Sequence, residues 1–408
     1  MSIFAPVFRA ILPLEGPLPL TAARIVDWLG GGDTLSGARV NLETVRGLPA
    51  AYACNRVLAE GVASLPLHVF ERLEPRGRRA AREHPVFRLL AEEPNPWMTS
   101  FKLRETLQGH LGFRGNAFCE IERDRSGQPV ALWPLRPDRM DRPHLSQAGR
   151  LIYPYLLPNG EKIALPQHLV LHLRGLSDDG LWGYAPLTVF RESFGRAIAM
   201  REHGSRYFSQ GAEPGGVLQT KARLGDEAAD RLDRSWKMAH EGLKNRWRIA
   251  ILEEGVEWKQ TGMSNEDSQF IESEALSVLD MCRIFRIQPH KVAELTRATF
   301  SNIEQQSIEH VTDTLLPWLV NWEQQLAQAL FLPAERARYY PKHIVAGLLR
   351  GDSAARVAFY GAGILGGWLS PDDVRELEEM NPLPDGLGEV YFRPLNMTAV
   401  STEALSAS

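Results

Sequence analysis

The sequence predicts an α+β protein in which an antiparallel-sheet domain is followed by two long helices that bracket a small αβ module. Three observations carry this prediction. Residues Gly115-Asn-Ala-Phe-Cys-Glu-Ile-Glu-Arg123 alternate in character, turn at Arg125-Ser-Gly127 and continue as a second strand through Trp133, which is a hairpin pattern. Two long segments, Pro186 to Gln210 and Asn265 to Arg286, carry helix signals at their ends. Between them lie short strand-like runs around one further helical run.

Taken in order, the first 40 or so residues are rich in Gly, Pro and Leu without a sustained period, and residues 1–44 are expected to be an extended, partly mobile arm. Leu48 to Ser64 reads as a helix through Tyr52, Val57, Leu58 and Val62, stopped by Pro66 before a strand Leu67 to Glu71. The basic turn Glu74-Pro-Arg-Gly-Arg-Arg leads to a helix around His84 to Glu92, ended by Pro94-Asn-Pro96. After the helix Ser100 to Gly112 and the hairpin come strands near Leu151–Leu156, Lys162–Leu165 and His168–Leu173, so residues 45 to 180 form one antiparallel sheet domain.

The segment Pro186 to Gln210, stopped at Gly211, would be one helix about 37 Å long at 1.5 Å per residue. The module that follows reads as strand Gly216–Thr220, helix Asp226–Glu241, strand Trp247–Leu252 and strand Val256–Gln260. The second long helix, Asn265 to Arg286, is capped by Ser264 or Asn265. A polar loop, Leu295-Thr-Arg-Ala-Thr-Phe-Ser-Asn-Ile-Glu-Gln-Gln306, separates it from a third helix, Asn302 to Leu330, with a kink at Pro317. An extended piece near Arg338–Ile344 and helices Asp352–Gly361 and Pro371–Met380 complete the chain before an irregular tail.

Composition excludes several classes of function. With 408 residues, 44% hydrophobic and 24% charged, there is material for two or three domains, and no apolar run reaches the roughly 18 residues of a membrane span. The N-terminus lacks the basic and apolar regions of a secretory signal, which predicts a cytoplasmic protein. Cys54, Cys119 and Cys282 are odd in number and far apart in sequence, so buried thiols are expected rather than disulfides or a metal knuckle. A net charge of −4 argues against a protein that grips DNA through many phosphate contacts.

Catalytic motifs are weak. Gly361-Ala-Gly363-Ile-Leu-Gly366 fits a dinucleotide fingerprint, but the residues before it read as a helix, so Gly361 is placed as a helix stop in a glycine-rich turn. No phosphate loop, nucleophile elbow or paired-histidine zinc motif occurs. His168 and His172, four apart on an expected strand, would share a face as ordinary sheet residues, and Asp178-Asp179-Gly180 reads as a turn rather than a metal loop. Neither a catalytic centre nor a cofactor site is expected.

A different kind of signal is the order of several short stretches. These are Ala53-Cys-Asn-Arg-Val-Leu-Ala-Glu-Gly-Val-Ala-Ser-Leu-Pro-Leu67, Leu89-Leu-Ala-Glu-Glu-Pro-Asn95, Gly115-Asn-Ala-Phe, Leu132-Trp-Pro-Leu-Arg-Pro137 and Asp179-Gly-Leu-Trp-Gly-Tyr-Ala-Pro-Leu187. Gly211-Ala-Glu-Pro-Gly-Gly-Val-Leu218, Phe285-Arg-Ile-Gln-Pro289 and Thr299-Phe-Ser-Asn-Ile-Glu-Gln305 follow. In this order the chain resembles the phage portal protein family, in the branch of long-tailed phages, prophages and gene-transfer particles.

The resemblance implies a portal fold assembled as a ring, usually of twelve subunits, at one capsid vertex, around a channel for double-stranded DNA. It implies an α/β wing (45–185), stem helices (186–211 and 264–290), a clip (212–263), a tunnel loop (291–301), a long wing helix with a return segment (302–349), a short helical crown (350–385) and a tail (386–408). Its partners would be other copies of the chain, DNA without sequence specificity, the large terminase, the major capsid protein and the head-tail connector, in a virion assembled in the host cytoplasm.

The resemblance places Thr296, Arg297, Thr299 and Ser301 in the tunnel loop, with Arg297 facing DNA or a neighbouring loop and Phe300 anchoring the base; the alternative is a connection packed on its own subunit. Glu266, Asp267, Glu272 and Glu274, opposite Arg283 and Arg286 on the same helix, either complement its dipole or line the channel with charge that repels phosphate. Lys244, Arg246 and Arg248 are either a solvated turn or a contact for an acidic partner, and Trp236, Trp247 and Trp258 either module core or partner contacts. A monomeric protein-binding adaptor and a DNA-processing enzyme are the competing classes.

Overall fold

The computed structural model describes residues 34–209, 216–219, 230, 234, 257–260, 266–294, 309–345, 353–378 and 380–392. They fall in two compact units, residues 1–343 and 344–408.

The first unit begins with residues expected to be a loose arm. From Thr34 onward they are instead packed, with Thr34, Ala38 and Val40 buried. The reason is local chemistry: Asn41 caps α1 (Leu42–Arg46) through a reciprocal bond with Thr44, and Leu35 N donates to Glu192 Oε2 at 3.0 Å. Helix α2 (Pro49–Ala63) follows, with Pro49 in its first turn where a missing N–H is harmless.

The sheet domain is divided where the sequence suggested a single sheet. β1 (Leu67–Arg72) pairs with β2 (Arg78–Ala80), which had no sequence signal, and on its other edge with β11 (Tyr339–His343) from the far end of the unit. After α3 (Pro85–Ala91) and α4 (Ser100–Arg114), β3 (Asn116–Arg123) lies between β4 (Pro129–Leu135) and β8 (Val170–Arg174). A third antiparallel sheet holds β5 (His144–Leu145), β6 (Leu151–Leu156) and β7 (Lys162–Pro166). The division follows the core: Phe118, Leu135 and Val170 of one sheet pack on Leu151, Tyr153, Tyr155 and Leu165 of the next, so each buries one apolar face.

Helices α2 and α4 cross closely. A Cβ on Gly112 would lie 1.8 Å from Asn55 Oδ1, so only glycine fits there. Asn116, directly after the α4 cap Gly115 (φ 65°), holds the loop that leaves β8. Its Nδ2 donates to Gly183 O at 2.7 Å, and its Oδ1 accepts from Gly183 N at 2.8 Å and from His172 Nε2 at 3.0 Å. The Gly-Asn and Leu-Trp-Gly stretches are therefore one structural clasp.

The helix expected over Pro186–Gln210 is broken. α5 (Pro186–Val189) ends at Phe190 (φ −103°, ψ 27°), and α6 (Arg191–Ser209) starts anew. The run Thr188-Val189-Phe190 consists of weak helix formers whose side chains crowd the preceding turn. β9 (Gly216–Gln219) pairs antiparallel with β10 (Glu257–Gln260), bringing Trp258 opposite Leu218. The helix Asp226–Glu241 and the strand Trp247–Leu252 lie outside the described residues, apart from helical positions 230 and 234.

Helix α7 (Glu266–Phe285) matches its expectation within a residue at each end. The third long helix does not continue as a kinked α-helix: His310–Leu315 is π-helical, and α8 (Leu316–Leu330) takes Pro317 into its first turn. The π turn interrupts the α-helical hydrogen-bond ladder just ahead of the proline, and the expected start of this helix at residues 302–308 lies outside the described residues. Trp322, buried on α8, donates from Nε1 to Gln108 Oε1 of α4 at 2.8 Å.

In the second unit α9 (Ser353–Leu365) runs through Gly361 and Gly363 instead of stopping at Gly361. It ends at Gly366–Gly367, where Gly367 has φ 68° and Leu369 N returns to Gly363 O. A Cβ on Gly363 would lie 2.4 Å from Leu369, so this glycine serves side-chain packing inside a helix, and the residues leading into the glycine run, from Ser353 on, are helical rather than a strand. α10 (Pro371–Leu377) follows with a Ser370–Asp373 capping box.

Candidate functional site

The region that the sequence singled out is the passage from α7 to α8. Thr296, Arg297, Thr299, Phe300 and Ser301 lie outside the described residues. What is described is the base on both sides of them.

α7 packs against α6. Asp280 pairs with Arg196 of α6 and, at 2.8 Å, with Arg283 one turn on. Both arginines are more than half exposed, so the Arg196 pair joins the two helices and the Arg283 pair lies along α7, each adding on the order of 0.5 kcal/mol. The apolar contribution is larger: Phe194, Met281 and Phe285 are buried, and Phe285 meets Phe113 of α4 edge to face at 5.6 Å. Cys282 reaches the thiol of Cys54 on α2, so two cysteines distant in sequence become neighbours. Both remain free and buried, and the contact with Cys282, together with burial, holds the Cys54 thiol protonated.

At its C-terminus α7 turns sharply. Arg286 adopts φ 55° and Ile287 N reaches back to Cys282 O at 2.9 Å. A 3-10 turn over Pro289–Val292 leads to Ala293 at φ 63°, and Glu294 N donates to Pro289 O at 3.1 Å. Two non-glycine residues in the left-handed region cost about 1 kcal/mol each, which the surrounding contacts must offset.

On the far side the π turn rests on α2, where Leu315 fills the space above Gly61; a Cβ there would lie 3.0 Å from its Cδ2. Thr314 closes the base by donating to Arg286 O at 2.7 Å. His310 is buried and neutral, pushed down to about 4 by burial and then by the charges of Lys291 and His290.

The other sequence candidates distribute as follows. Glu266, Asp267, Glu272 and Glu274 lie on the α7 backbone, their side chains outside the described set. Lys244, Arg246, Arg248, Trp236 and Trp247 lie outside the described residues. His168 and His172 do not share a face. His168 sits exposed on a 3-10 turn before β8, whereas His172 is buried, donating to Asn116 and lying 3.4 Å from Tyr153 OH. Asp179 accepts from Leu181 N, Trp182 N and Ser177 Oγ and pairs with Arg142, so its carboxylate is held well below its usual range by turn bonds.

Buried titratable groups elsewhere are scaffold. Glu120 on β3 is pushed up to about 7 by burial and then by the neighbouring Glu122. Glu323 accepts from Lys342 Nζ at 2.9 Å and His343 N at 2.9 Å, joining α8 to β11. Among the described residues no group of three or more His, Cys, Asp or Glu side chains is arranged to hold a metal ion, and no helix is long and apolar enough to cross a membrane. The Thr314–Arg286 tie, the Asp280–Arg196 pair and the Cys54–Cys282 contact had no sequence signal, because each joins residues whose spacing carries no period.

Comparison with known proteins adds to this geometry. The family model described as "Phage portal protein" matches residues 49–379. The portal protein of Enterobacteria phage HK97 is 30% identical over 356 residues, covering 86% of this chain and 83% of that protein. A chain from the virion of a native gene transfer agent particle superposes with a TM-score of 0.59 at 24% identity, covering 89% of this chain and 100% of that one. A chain from the neck of a native gene transfer agent particle computed with C12 symmetry gives 0.57 at 23% identity, covering 88% and 99%. A match that spans both α2 and α10, and so reaches into both compact units, is a match to the architecture rather than to a single motif: the chain belongs to the phage portal protein family.

Proposed function

We propose that this chain is the subunit of a ring at one vertex of a phage-like capsid, and that double-stranded DNA enters, is retained and leaves through the ring's channel. The observation that carries the reading is the family match over residues 49–379, and the similarity to a chain from a neck with C12 symmetry supports a ring of about twelve. Chemistry on DNA has no place in this reading; the energy for packaging comes from a separate motor, the large terminase.

In this reading residues 45–185 and the α8–β11 return are the wing, α6 and α7 the stem pair, 212–263 the clip, 291–301 the tunnel loop and 350–385 the crown. The wing assignment is supported by the pairing of β11 with β1, which joins the return segment to the sheet domain. The stem assignment is supported by the packing of α6 on α7 and the turn that carries the chain out of α7. Residues 34–46 belong with the stem rather than with a free arm, since Thr34 sits against Gly195 and Arg201 donates to Gly47 O. The clip would meet terminase during filling and the head-tail connector afterwards, the wing would meet the major capsid protein, and no membrane takes part.

The test is the mass of the purified chain by native mass spectrometry, paired with negative-stain imaging, alone and with capsid and scaffold proteins present. Rings with a central hole are expected. A chain that stays monomeric with those partners present would overturn the reading in favour of an adaptor.

A further inference from the structure

A cavity of about 640 Å³ opens in the first unit between the β3–β4 turn, the end of β7, β8 and the C-terminal end of α8. Its wall carries Arg123, Arg150, Arg174 and Arg336 together with His168 and His172, and no Asp or Glu. None of the four guanidiniums forms an ion pair among the described residues. The acidic side chain that acts on Arg123, Glu335, lies outside the lining, and its oxygens accept from Leu332 N at 3.0 Å and Gln128 Nε2 at 3.4 Å.

Two of the arginines have a structural use. Arg123 donates to the carbonyls of His168 at 3.1 Å, Gly127 at 2.8 Å and Ala329 at 2.7 Å, and Arg336 donates to Phe331 at 3.0 Å and Gln328 at 2.6 Å. Gln328 and Ala329 lie in the last turn of α8, where carbonyls lack helical partners and cations are favoured. The other two are not used in that way. Arg174 gives one bond, to Gly180 O at 2.6 Å, and the exposed Arg150 side chain forms none among the described residues. His168 is held below its usual range first by partial burial, and Arg123 and Arg150 push it the same way.

Glu335, outside the lining, offsets part of the Arg123 charge, but the wall itself holds four guanidiniums and no carboxylate, so an anion in the cavity would relieve their mutual repulsion. We propose that this cavity is a binding site for a phosphate group, gripped by Arg150 and Arg174 within the field fixed by Arg123 and Arg336. Phosphate fits better than a single carboxylate because its charge is denser and its oxygens match several guanidinium forks at once. The volume suits a ligand of nucleotide size. The phosphate comes either from a free nucleotide or polyphosphate or from a DNA backbone, and the chemistry of the grip is the same. This inference stands whether or not the chain forms a ring.

The test is calorimetric titration of the full-length chain with pyrophosphate, with ATP, with a short DNA duplex and with succinate, repeated on Arg150→Gln and on Arg150→Gln/Arg174→Gln. Saturable binding of a phosphate ligand, weakened about tenfold or more in the double variant, is expected. Arg150 is an exposed turn residue, so the single variant folds, and it should already lose part of the affinity. Binding of pyrophosphate or ATP assigns a free phosphate as the source; binding of the duplex alone, lost in the double variant, assigns DNA. Absence of saturable binding to all three phosphate ligands, affinity unchanged in both variants, or equally tight binding of succinate would overturn the proposal.

Discussion

Thr314 Oγ1 donates to the carbonyl of Arg286 at 2.7 Å, and this one bond ties the exit from α7 to the π turn on the far side of the 295–308 segment. Arg286 stands at φ 55°, a conformation its side chain disfavours, and without Thr314 its carbonyl would need another donor at that strained point. The bond therefore holds the two ends of the loop at a set separation, whatever the loop between them does.

Replacing Thr314 with Val should remove the donor while keeping the shape, leaving the Arg286 carbonyl unpaired beside a buried residue. A loss of about 1–2 kcal/mol is expected, with faster amide exchange over Ile287–Ala293. Thr314→Ser should keep most of the stability. Denaturant unfolding of the three proteins checks this, and a valine variant as stable and as protected as wild type would show the tie to be idle.

The crossing of α2 and α4 makes a sharper demand. Gly112→Ala places a methyl 1.8 Å from Asn55 Oδ1, so one helix must shift or Asn55 must leave its bond to Gly109 O, 3.3 Å from its Nδ2. Overpacking of this kind costs about 1–3 kcal/mol. Asn55→Ala in the same chain should recover part of that loss, because the two changes share one space. Thermal melts of the single and double variants check it; simple additivity would mean that the clash is relieved elsewhere.

Glu120 should make stability depend on pH in the direction opposite to most carboxylates. Its folded-state value is raised from 4.5 to about 7, so the folded protein keeps a proton that the unfolded chain releases. That contribution is fully present below about pH 4.5 and is lost as pH rises through 7, for a total of about 3 kcal/mol. His110 and His310, pushed down to about 4 by burial, act the other way and lower stability below about 6.5. Only the difference between wild type and Glu120→Gln isolates the carboxyl. The variant should gain on wild type between pH 5 and pH 8, and urea unfolding curves that stay parallel across that range would refute the assignment.

The legible part of this fold was the part governed by local periods and turn chemistry. The β3–β4 hairpin, α2, α4 and α7 follow from alternation, apolar periodicity, a proline at a helix start and a glycine at a helix end, all of which act over a few residues. β2, three residues long and fully exposed, has no apolar face to announce it. The extended piece that became β11 was readable, but its pairing with residues 67–72 and the division into three sheets depend on contacts between distant segments, which no local pattern encodes. The same limit applies at the candidate site: its position between two helices was readable, whereas the Thr314–Arg286 tie and the arginine-lined cavity arise only when distant segments meet. The glycine run at 361–366 matched a cofactor pattern by spacing alone, and the helix passing through it removed the strand that such a site requires.

If residues 291–301 project into a channel, Arg297 is the side chain whose charge reaches passing DNA or a neighbouring loop. A single guanidinium among polar Thr and Ser neighbours gives contacts without sequence preference, and removing one phosphate contact lowers the salt dependence of DNA affinity by about one unit of slope. Arg297→Ala should leave ring assembly unchanged, since the described base of the loop is held by Thr314, Arg286 and the π turn. It should alter the length of DNA packaged or the fraction of filled particles that keep their DNA. Sizing of packaged DNA and counting of filled particles measure this directly; normal length and normal retention would take Arg297 out of the working surface of the channel.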